Sequence, residues 1–132
     1  RGDNEMIEDN KAFQKKFGFD EKPLTKEQLR FRMELLREEF EETWTAFLNK
    51  DPEEWVDGHV DLLVIALGNL HLAGVDVEKA WKEVYRANMS KVRGVKPGRE
   101  NSDGFDVMKP EGWKGPDHSG NHGKLNDVFK KD

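Results

Sequence analysis

The chain has 132 residues, which fits one domain, and its composition excludes several classes of protein. It has no cysteine, so disulfides and thiolate metal sites are excluded, and no apolar run approaches the length of about 18 residues expected of a membrane-spanning helix. The 27 acidic and 22 basic side chains give a net charge of −5, which argues against a nucleic-acid partner. The absence of cysteine and of a signal-peptide pattern favours a cytoplasmic location.

The sequence pattern changes at about residue 92, which predicts that the chain has two regions. Residues 1–92 carry helical patterns and are expected to form a helical domain that holds the functional site. Residues 93–132 are expected to form an irregular extension that packs on the same domain. Seven glycines and three prolines fall between Val92 and Asp132, and the apolar periodicity disappears there.

Four helices are predicted before residue 92. The first spans about residues 4–17 and ends at Gly18. The second begins at Thr25, whose spacing from Gln28 is that of a capping box, and it carries an apolar residue at every third or fourth position. The residues of this stripe are Leu29, Met33, Leu36, Phe40, Trp44 and Phe47.

The third helix is expected to start at Asp51, with Pro52 in its first turn, and to stop at Gly74. Its centre, residues 62–67, is apolar on every side, which predicts burial all round. The fourth helix runs from about Asp76 to about Lys91. Since no β-strand is needed, the predicted fold is all-α: an antiparallel four-helix bundle with an irregular Gly/Pro-rich C-terminal tail.

Carboxylates cluster on the second and third helices. Glu39 and Glu42 are three residues apart and share a helix face, as do Asp57 and Asp61, which are four apart. Asp61 precedes the apolar run, and no Lys or Arg lies between residues 51 and 76. A carboxylate beside a buried segment is costly unless it is paired or bound to metal, so a hard divalent cation, Mg²⁺ or Mn²⁺, is predicted. The alternative for the second helix is a solvated acidic face.

The fourth helix carries a stripe that begins apolar at Val77 and ends polar at Asn88 and Lys91. The Asn88 amide can donate or accept hydrogen bonds and the Lys91 ammonium is positively charged, so both suit phosphate oxygens. The alternative is that both are surface residues near a helix C-terminus, where lysine complements the helix dipole.

Together these residues resemble the MazG-like, all-α nucleoside triphosphate pyrophosphohydrolases, particularly the small stand-alone members found in phages. The family pattern is ExxE on one helix, ExxD on the next, and then NxxK. Residues 39–42 match ExxE, residues 57–63 match the segment that contains the Asp, and residues 88–91 resemble NxxK. The resemblance covers about residues 5–100. It departs at Gly58, where ExxD has its Glu; Asp57, one residue earlier on the same helix face, is the expected substitute.

The resemblance implies hydrolysis of a (d)NTP between its α- and β-phosphates, giving a nucleoside monophosphate and pyrophosphate, in the host cytoplasm if the protein is phage-encoded. It implies Mg²⁺, with Mn²⁺ as a possible substitute, held by Glu39, Glu42, Asp57 and Asp61. The catalytic candidates are Glu39 and Glu38, the latter as a ligand or a base that orients water. The phosphate-binding candidates are Asn88, Lys91, Lys96 and Arg99. A homodimer or homotetramer is expected, with no nucleic-acid or membrane partner.

The sequence leaves two alternatives open. One is a dUTPase/dCTPase-like hydrolase, which differs only in the base it selects. The other is a non-catalytic acidic helical interaction protein, for which the missing Glu at Gly58 is the best support. A GxxxxGK[ST] phosphate loop is absent from the sequence, which disfavours an ordinary ATPase. His59 and His71 are expected to be hydrogen-bonded helix histidines, and His118 and His122 lack a third ligand pattern for a metal.

Overall fold

The structure is a computed structural model that describes residues 4–130, and its architecture is all-α, as predicted. Its helices are α1 (Glu5–Lys16), α2 (Lys26–Leu48), α3 (Pro52–Leu72), α4 (Val77–Met89) and α5 (Leu125–Lys130). The first four are the helices that the sequence predicts, to within two residues at each end. The described part of the chain also contains two 3₁₀ turns, Phe19–Glu21 and Glu100–Ser102.

The C-terminal region contains short elements that the sequence pattern did not predict. Strands β1 (Val92–Arg93) and β2 (Val107–Met108) pair antiparallel, with Val92 opposite Met108. These two-residue strands have no alternating apolar pattern, and α5 has only six residues. Elements this short are stabilised by their neighbours and not by their own sequence.

Local sequence explains where α2 and α3 begin. Thr25 Oγ1 accepts a hydrogen bond from the Gln28 amide at 3.1 Å, and Gln28 Oε1 accepts one from the Thr25 amide at 3.3 Å, which completes the predicted capping box. Asp51 Oδ1 accepts a hydrogen bond from the Glu54 amide at 3.1 Å. Both contacts satisfy amide groups that have no partner within the helix.

α2 and α3 pack as an antiparallel pair. Arg32 Nε on α2 donates to Asn69 Oδ1 on α3 at 2.8 Å, and further along the pair Thr43 lies against Gly58. Arg32 and Thr43 are eleven positions apart on α2. Their partners on α3, residues 69 and 58, are also eleven positions apart, so the register of the two helices is constant between these contacts. α1 joins α3 through Asn10 Nδ2, which donates to the Val64 carbonyl at 3.2 Å.

The contacts of the chain group it into two compact units. One consists of residues up to Val77 together with those from Gly120, and the other is Glu78–Ser119. In the first unit, the buried Asn121 side chain accepts from the Asp76 amide at 2.8 Å and donates to the Asp76 carbonyl at 2.9 Å. In the second, Trp113 Nε1 donates to the Ala87 carbonyl at 2.9 Å. The division of the chain at residue 92 stays a prediction.

The apolar faces of α2 and α3 are only partly covered. Burial of residues 62–67 on all sides was the wrong expectation, because Leu63 is 51% exposed and Val64 is also exposed. On α2, Phe40 and Trp44 are exposed as well, Trp44 by 56%. The buried apolar residues among those described are all small: Ala46, Ala73, Val77, Ala87 and Val128. Neither α1 nor α2 covers the outer part of α3, so an apolar run alone does not ensure burial within one chain. In the described residues, no single helix has both the length and the apolar character needed to cross a membrane.

Candidate active site

Glu39 on α2 and Asp61 on α3 face each other across the helix pair. The pKa of the Glu39 carboxyl is raised above its ordinary value, first by partial burial, then by the negative charges of Asp61 and Glu42. A side-chain hydrogen bond with Asp61 and the charge of Asp57 raise it further. Every one of these effects disfavours the charged form of Glu39, and no basic side chain among the described residues counteracts them. The four predicted carboxylates are therefore electrostatic neighbours.

The close approach of Thr43 and Gly58 explains how these carboxylates meet. The side chain of Thr43 is buried, and its Oγ1 donates to the Glu39 carbonyl one turn earlier at 2.7 Å. Gly58 is buried opposite it, and a Cβ at this position would lie 3.0 Å from Thr43 Cβ and closer still to Oγ1. Asp61 is one turn beyond Gly58 on α3, so the same antiparallel register brings it to Glu39.

This contact also accounts for the departure from the ExxD pattern. A glutamate at position 58 would need space that Thr43 already occupies. Asp57, the preceding residue, contributes its negative charge to Glu39 instead. The fourth carboxylate is thus present in the cluster, but it comes from a neighbouring position on α3 and has a shorter side chain.

The four carboxylates fit a divalent cation in ligand chemistry but are not gathered as a coordination shell. Within residues 4–130, no three Asp, Glu or His side chains converge in an arrangement ready to hold a metal ion. Hard cations prefer carboxylate oxygens, and a cation would relieve the mutual repulsion that raises the pKa of Glu39. Binding would therefore need the Glu39, Glu42, Asp57 and Asp61 side chains to turn towards one another.

Glu38 is not among the charges that raise the pKa of Glu39. It borders a shallow depression on the surface of α2 together with Glu41, Glu42 and Thr45. Glu42 belongs to both groups, since it borders this depression and also raises the pKa of Glu39. The depression is lined by acidic residues and by Thr45, which matches the alternative of a solvated acidic face for this part of α2.

The predicted phosphate-binding residues all lie in the second unit. Asn88 is exposed near the end of α4, and its carbonyl accepts from the Lys91 amide at 3.2 Å. Lys91 Nζ lies 5.5 Å from the ring centre of Trp113. Arg99 Nη2 forms an ion pair with Asp106 Oδ1 at 2.9 Å, so its charge is already partly compensated. Lys96 is joined to Arg99 through the backbone, where its carbonyl accepts from the Arg99 amide at 3.0 Å.

Trp113 and Lys109 were not predicted as part of this group. Lys109 Nζ lies 5.0 Å from the Trp113 ring centre, so two lysines stack on one indole. Trp113 is in turn fixed by its hydrogen bond to the Ala87 carbonyl. The segment 109–113 is a Lys-Pro-Glu-Gly-Trp sequence, and its tryptophan was the signal that could have indicated a contact with α4.

Two helix histidines are hydrogen-bonded as expected. His59 Nδ1 lies 2.7 Å from the Trp55 carbonyl, and His71 Nδ1 lies 2.9 Å from Asn10 Oδ1. His71 differs in that its Nε2 is buried and has no hydrogen-bond partner.

The all-α fold and the carboxylates on α2 and α3 are consistent with the class of all-α pyrophosphohydrolases. The sequence model of the phosphoribosyl-ATP pyrophosphohydrolase family matches residues 4–88, more than half of the chain, and the chain belongs to that family. This family is related to the MazG-like NTP pyrophosphatases, which confirms the resemblance. The protein is therefore a hydrolase that acts on pyrophosphate bonds. Comparison with curated proteins finds no match. The family match includes the carboxylates and Asn88 but ends before Lys91.

Proposed function

We propose that the protein is a Mg²⁺-dependent nucleoside triphosphate pyrophosphohydrolase, which converts a (d)NTP to a (d)NMP and pyrophosphate. The observation that carries the proposal is the pairing of Glu39 and Asp61 across α2 and α3, with Glu42 and Asp57 beside them. A cluster of acidic groups without a compensating cation disfavours binding of a bare triphosphate, because like charges repel. With divalent cations bound, the same cluster would attract it.

We assign the metal ligands to Glu39, Glu42 and Asp61, with Asp57 in place of the family glutamate. Mg²⁺ is the first choice and Mn²⁺ a substitute, because oxygen ligands favour hard ions. When bound, such ions neutralise charge on the phosphates and increase the acidity of bound water. Glu39 and Glu38 are the residues proposed to orient the attacking water.

We further propose that Asn88, Lys91, Lys96 and Arg99 contact the phosphates. Lys91 is the strongest candidate, because stacking on Trp113 restricts its long side chain while leaving its three N–H donors available. Arg99 would have to share its guanidinium between Asp106 and a phosphate. The substrate itself is not fixed by these residues, since all of them recognise phosphate and none selects a base.

A nucleotide panel tests the activity and its substrate. The panel contains the canonical (d)NTPs, dUTP and phosphoribosyl-ATP, each with Mg²⁺ and with EDTA, and pyrophosphate release is measured. We expect release from at least one nucleotide, with loss of activity in EDTA. A preference for dUTP or dCTP would establish the dUTPase/dCTPase-like alternative. The absence of release from every substrate would favour the non-catalytic interaction protein.

Two variants locate the site. Glu39→Gln and Asp61→Asn each keep the size of the side chain but remove a charged ligand, so kcat should fall by about 100-fold or more, as is typical when a metal site is disrupted. Glu41→Gln is the matched control, because Glu41 is an exposed carboxylate on α2 that does not act on Glu39. Full activity of both site variants would show that the reaction takes place elsewhere.

A further inference from the structure

Two adjoining cavities lie at the other end of the α2–α3 pair. They are bounded by α1, the Phe19–Glu21 turn, the start of α2 and the end of α3, and both have Asp20, His71 and Leu72 in their walls. Their volumes are about 200 Å³ and about 380 Å³. His71 is ten residues beyond Asp61 on α3, which is about 15 Å along the helix axis, so this place is separate from the carboxylate cluster.

Buried polar groups without partners line these cavities. Gln14 borders the larger one; it is only 2% exposed, and neither its amide nitrogen nor its amide oxygen has a hydrogen-bond partner. His71 borders both cavities, and its buried Nε2 is also without a partner. A buried polar group that makes no hydrogen bond is costly, so these atoms indicate a ligand that would satisfy them.

The protonation of His71 follows from its neighbours. Asn10 Nδ2 donates to the Val64 carbonyl, so Asn10 Oδ1 is the acceptor that faces His71 Nδ1. The proton of a neutral His71 therefore resides on Nδ1, and Nε2 presents a free lone pair. Burial, and next the charge of Lys11, lower the pKa of His71, which favours this neutral form.

Arg32 brings a positive charge to the smaller cavity. Its Nε donates to Asn69 Oδ1 at 2.8 Å and its Nη2 to the Ile65 carbonyl at 3.5 Å, and both acceptors are neutral. Because Gly68 has no side chain, the Arg32 guanidinium can approach α3. A Cβ at Gly68 would collide with Arg32 Nη2 and would lie 2.8 Å from Gln14 Nε2, so two nitrogen donors point to the same place.

The remaining wall of the smaller cavity is basic and apolar. Lys22, Arg32 and Lys124 give three positive charges against one negative charge from Asp20, in a protein whose net charge is −5. Phe19 and Phe31 supply aromatic surface beside them. A local excess of positive charge in an acidic protein selects anions, and the aromatic rings select a ligand with an apolar body.

We propose that these cavities bind a small organic anion, whose acidic group pairs with Arg32 and whose apolar body packs against Phe19 and Phe31. The acidic group is a carboxylate or a phosphate monoester, since the Arg32 guanidinium can form two parallel hydrogen bonds with either. The acidic group and the apolar body suffice for binding in the smaller cavity, and further polar groups on a larger ligand would satisfy His71 Nε2 and the Gln14 amide. This site is additional to the proposed hydrolytic site and does not depend on its metal ions.

The test uses the full chain with ¹³C-labelled histidine, in EDTA at pH 7.5 so that metal-dependent binding is suppressed. Benzoate, phenyl phosphate and neutral benzyl alcohol are titrated separately while the imidazole signals are recorded. We expect saturable shifts of the His71 signal with benzoate or phenyl phosphate, and the responding compound identifies the acidic group. The His59 signal, close to the carboxylate cluster, should not move, and benzyl alcohol should leave both unchanged.

Two variants complete the test. Arg32→Gln, with a native circular dichroism spectrum, should weaken binding of the responding anion by about tenfold, as expected for loss of a charged hydrogen bond. Lys124→Gln, at an exposed position, should weaken it by a few-fold without affecting folding. Arg37→Gln is the control, because Arg37 is exposed on the same helix and pairs with Glu34. The proposal is overturned if neither anion shifts His71, if benzyl alcohol shifts it equally, or if binding is unchanged in the folded Arg32 and Lys124 variants.

Discussion

Gly58 sets how closely α3 approaches α2 beside the candidate active site. The Thr43 side chain occupies the space that a side chain at position 58 would need, and its hydroxyl is already bonded to the Glu39 carbonyl. The threonine is buried and therefore cannot move aside cheaply. The same residue that breaks the ExxD pattern thus fixes the geometry on which the pairing of Glu39 and Asp61 depends.

Gly58→Ala should therefore destabilise the protein. Alanine is favoured over glycine in a helix interior by about 1 kcal/mol, but overpacking against Thr43 costs up to about 3 kcal/mol, so a net loss of up to about 2 kcal/mol in the free energy of unfolding is expected. Urea denaturation followed by circular dichroism measures it. Thr43→Ala removes the hydroxyl and methyl groups of the threonine. In that background, the loss of stability caused by Gly58→Ala should be less than half of the loss in the wild-type background. An equal loss in both backgrounds would show that Thr43 is not the obstacle.

His71 should make stability depend on pH. Burial and the Lys11 charge lower its pKa in the folded protein, while Glu8 acts in the opposite direction. The unfolded chain then takes up a proton at a higher pH than the folded one, so stability decreases as the pH falls below the ordinary value of 6.5. The decrease ends once the lowered pKa of the folded state has also been passed.

The measurement compares urea denaturation midpoints at pH 7.5 and pH 5.5. The difference between these midpoints should be smaller in His71→Gln than in the wild-type protein. His122→Gln is the control, because His122 is exposed and should leave the difference unchanged. If His71→Gln retains the full wild-type difference, the acid sensitivity comes from other groups.

At the scale of elements, the parts predicted from sequence are those encoded locally. Capping residues at Thr25 and Asp51 and the glycine at position 74 mark the ends of α2 and α3, and the structure agrees to within two residues. The pairing of Glu39 with Asp61 could also be predicted from the sequence. Helical spacing places each residue on one face of its helix, and two adjacent antiparallel helices bring those faces together. The spacing did not reveal that Gly58 makes this approach possible.

The parts that were missed depend on contacts between distant residues. α5 is too short to be indicated by periodicity, and it follows a loop held by Asn121, whose partner Asp76 is 45 positions away. Trp113 likewise depends on the Ala87 carbonyl, 26 positions earlier. The cavity around Arg32 and Gln14 combines side chains from three helices, none of which forms a motif. Such contacts have no local sequence pattern, so only the folded chain reveals them.

Asn121 should be the residue that holds the end of the first unit together. Asn121→Ala leaves the Asp76 amide and carbonyl without their side-chain partner, at a cost of about 1–3 kcal/mol in the free energy of unfolding. Amide hydrogen exchange should accelerate at Asp76 and Lys124, whose amides take part in this junction. Asn126→Ala, at an exposed position of α5, is the matched control and should change neither quantity. Unaltered exchange in Asn121→Ala would remove the residue from the junction.

At the scale of the whole molecule, we expect the protein to self-associate through the exposed apolar residues of α2 and α3. Phe40 and Trp44 on α2 and Val60 and Leu63 on α3 are each half-exposed or more, and α2 and α3 also carry the carboxylate cluster. Adjacent exposed apolar residues in this number are more typical of an oligomer interface than of a monomer surface. In most homodimers the interface is isologous, which means that both subunits contribute the same surface. One substitution in that surface therefore alters the interface at two places.

Trp44→Lys should accordingly convert the protein to a monomer. The wild-type protein should sediment at two or four times the chain mass of 15.3 kDa, and the variant at that mass, because lysine would bring a charge into an apolar interface. Activity should fall with association, since the interface and the carboxylates share the same two helices. Phe105→Lys is the control: Phe105 is 91% exposed and lies outside α2 and α3, so its replacement should leave the mass unchanged. A wild-type protein that sediments at 15.3 kDa at micromolar concentration would mean that these faces are left open to solvent.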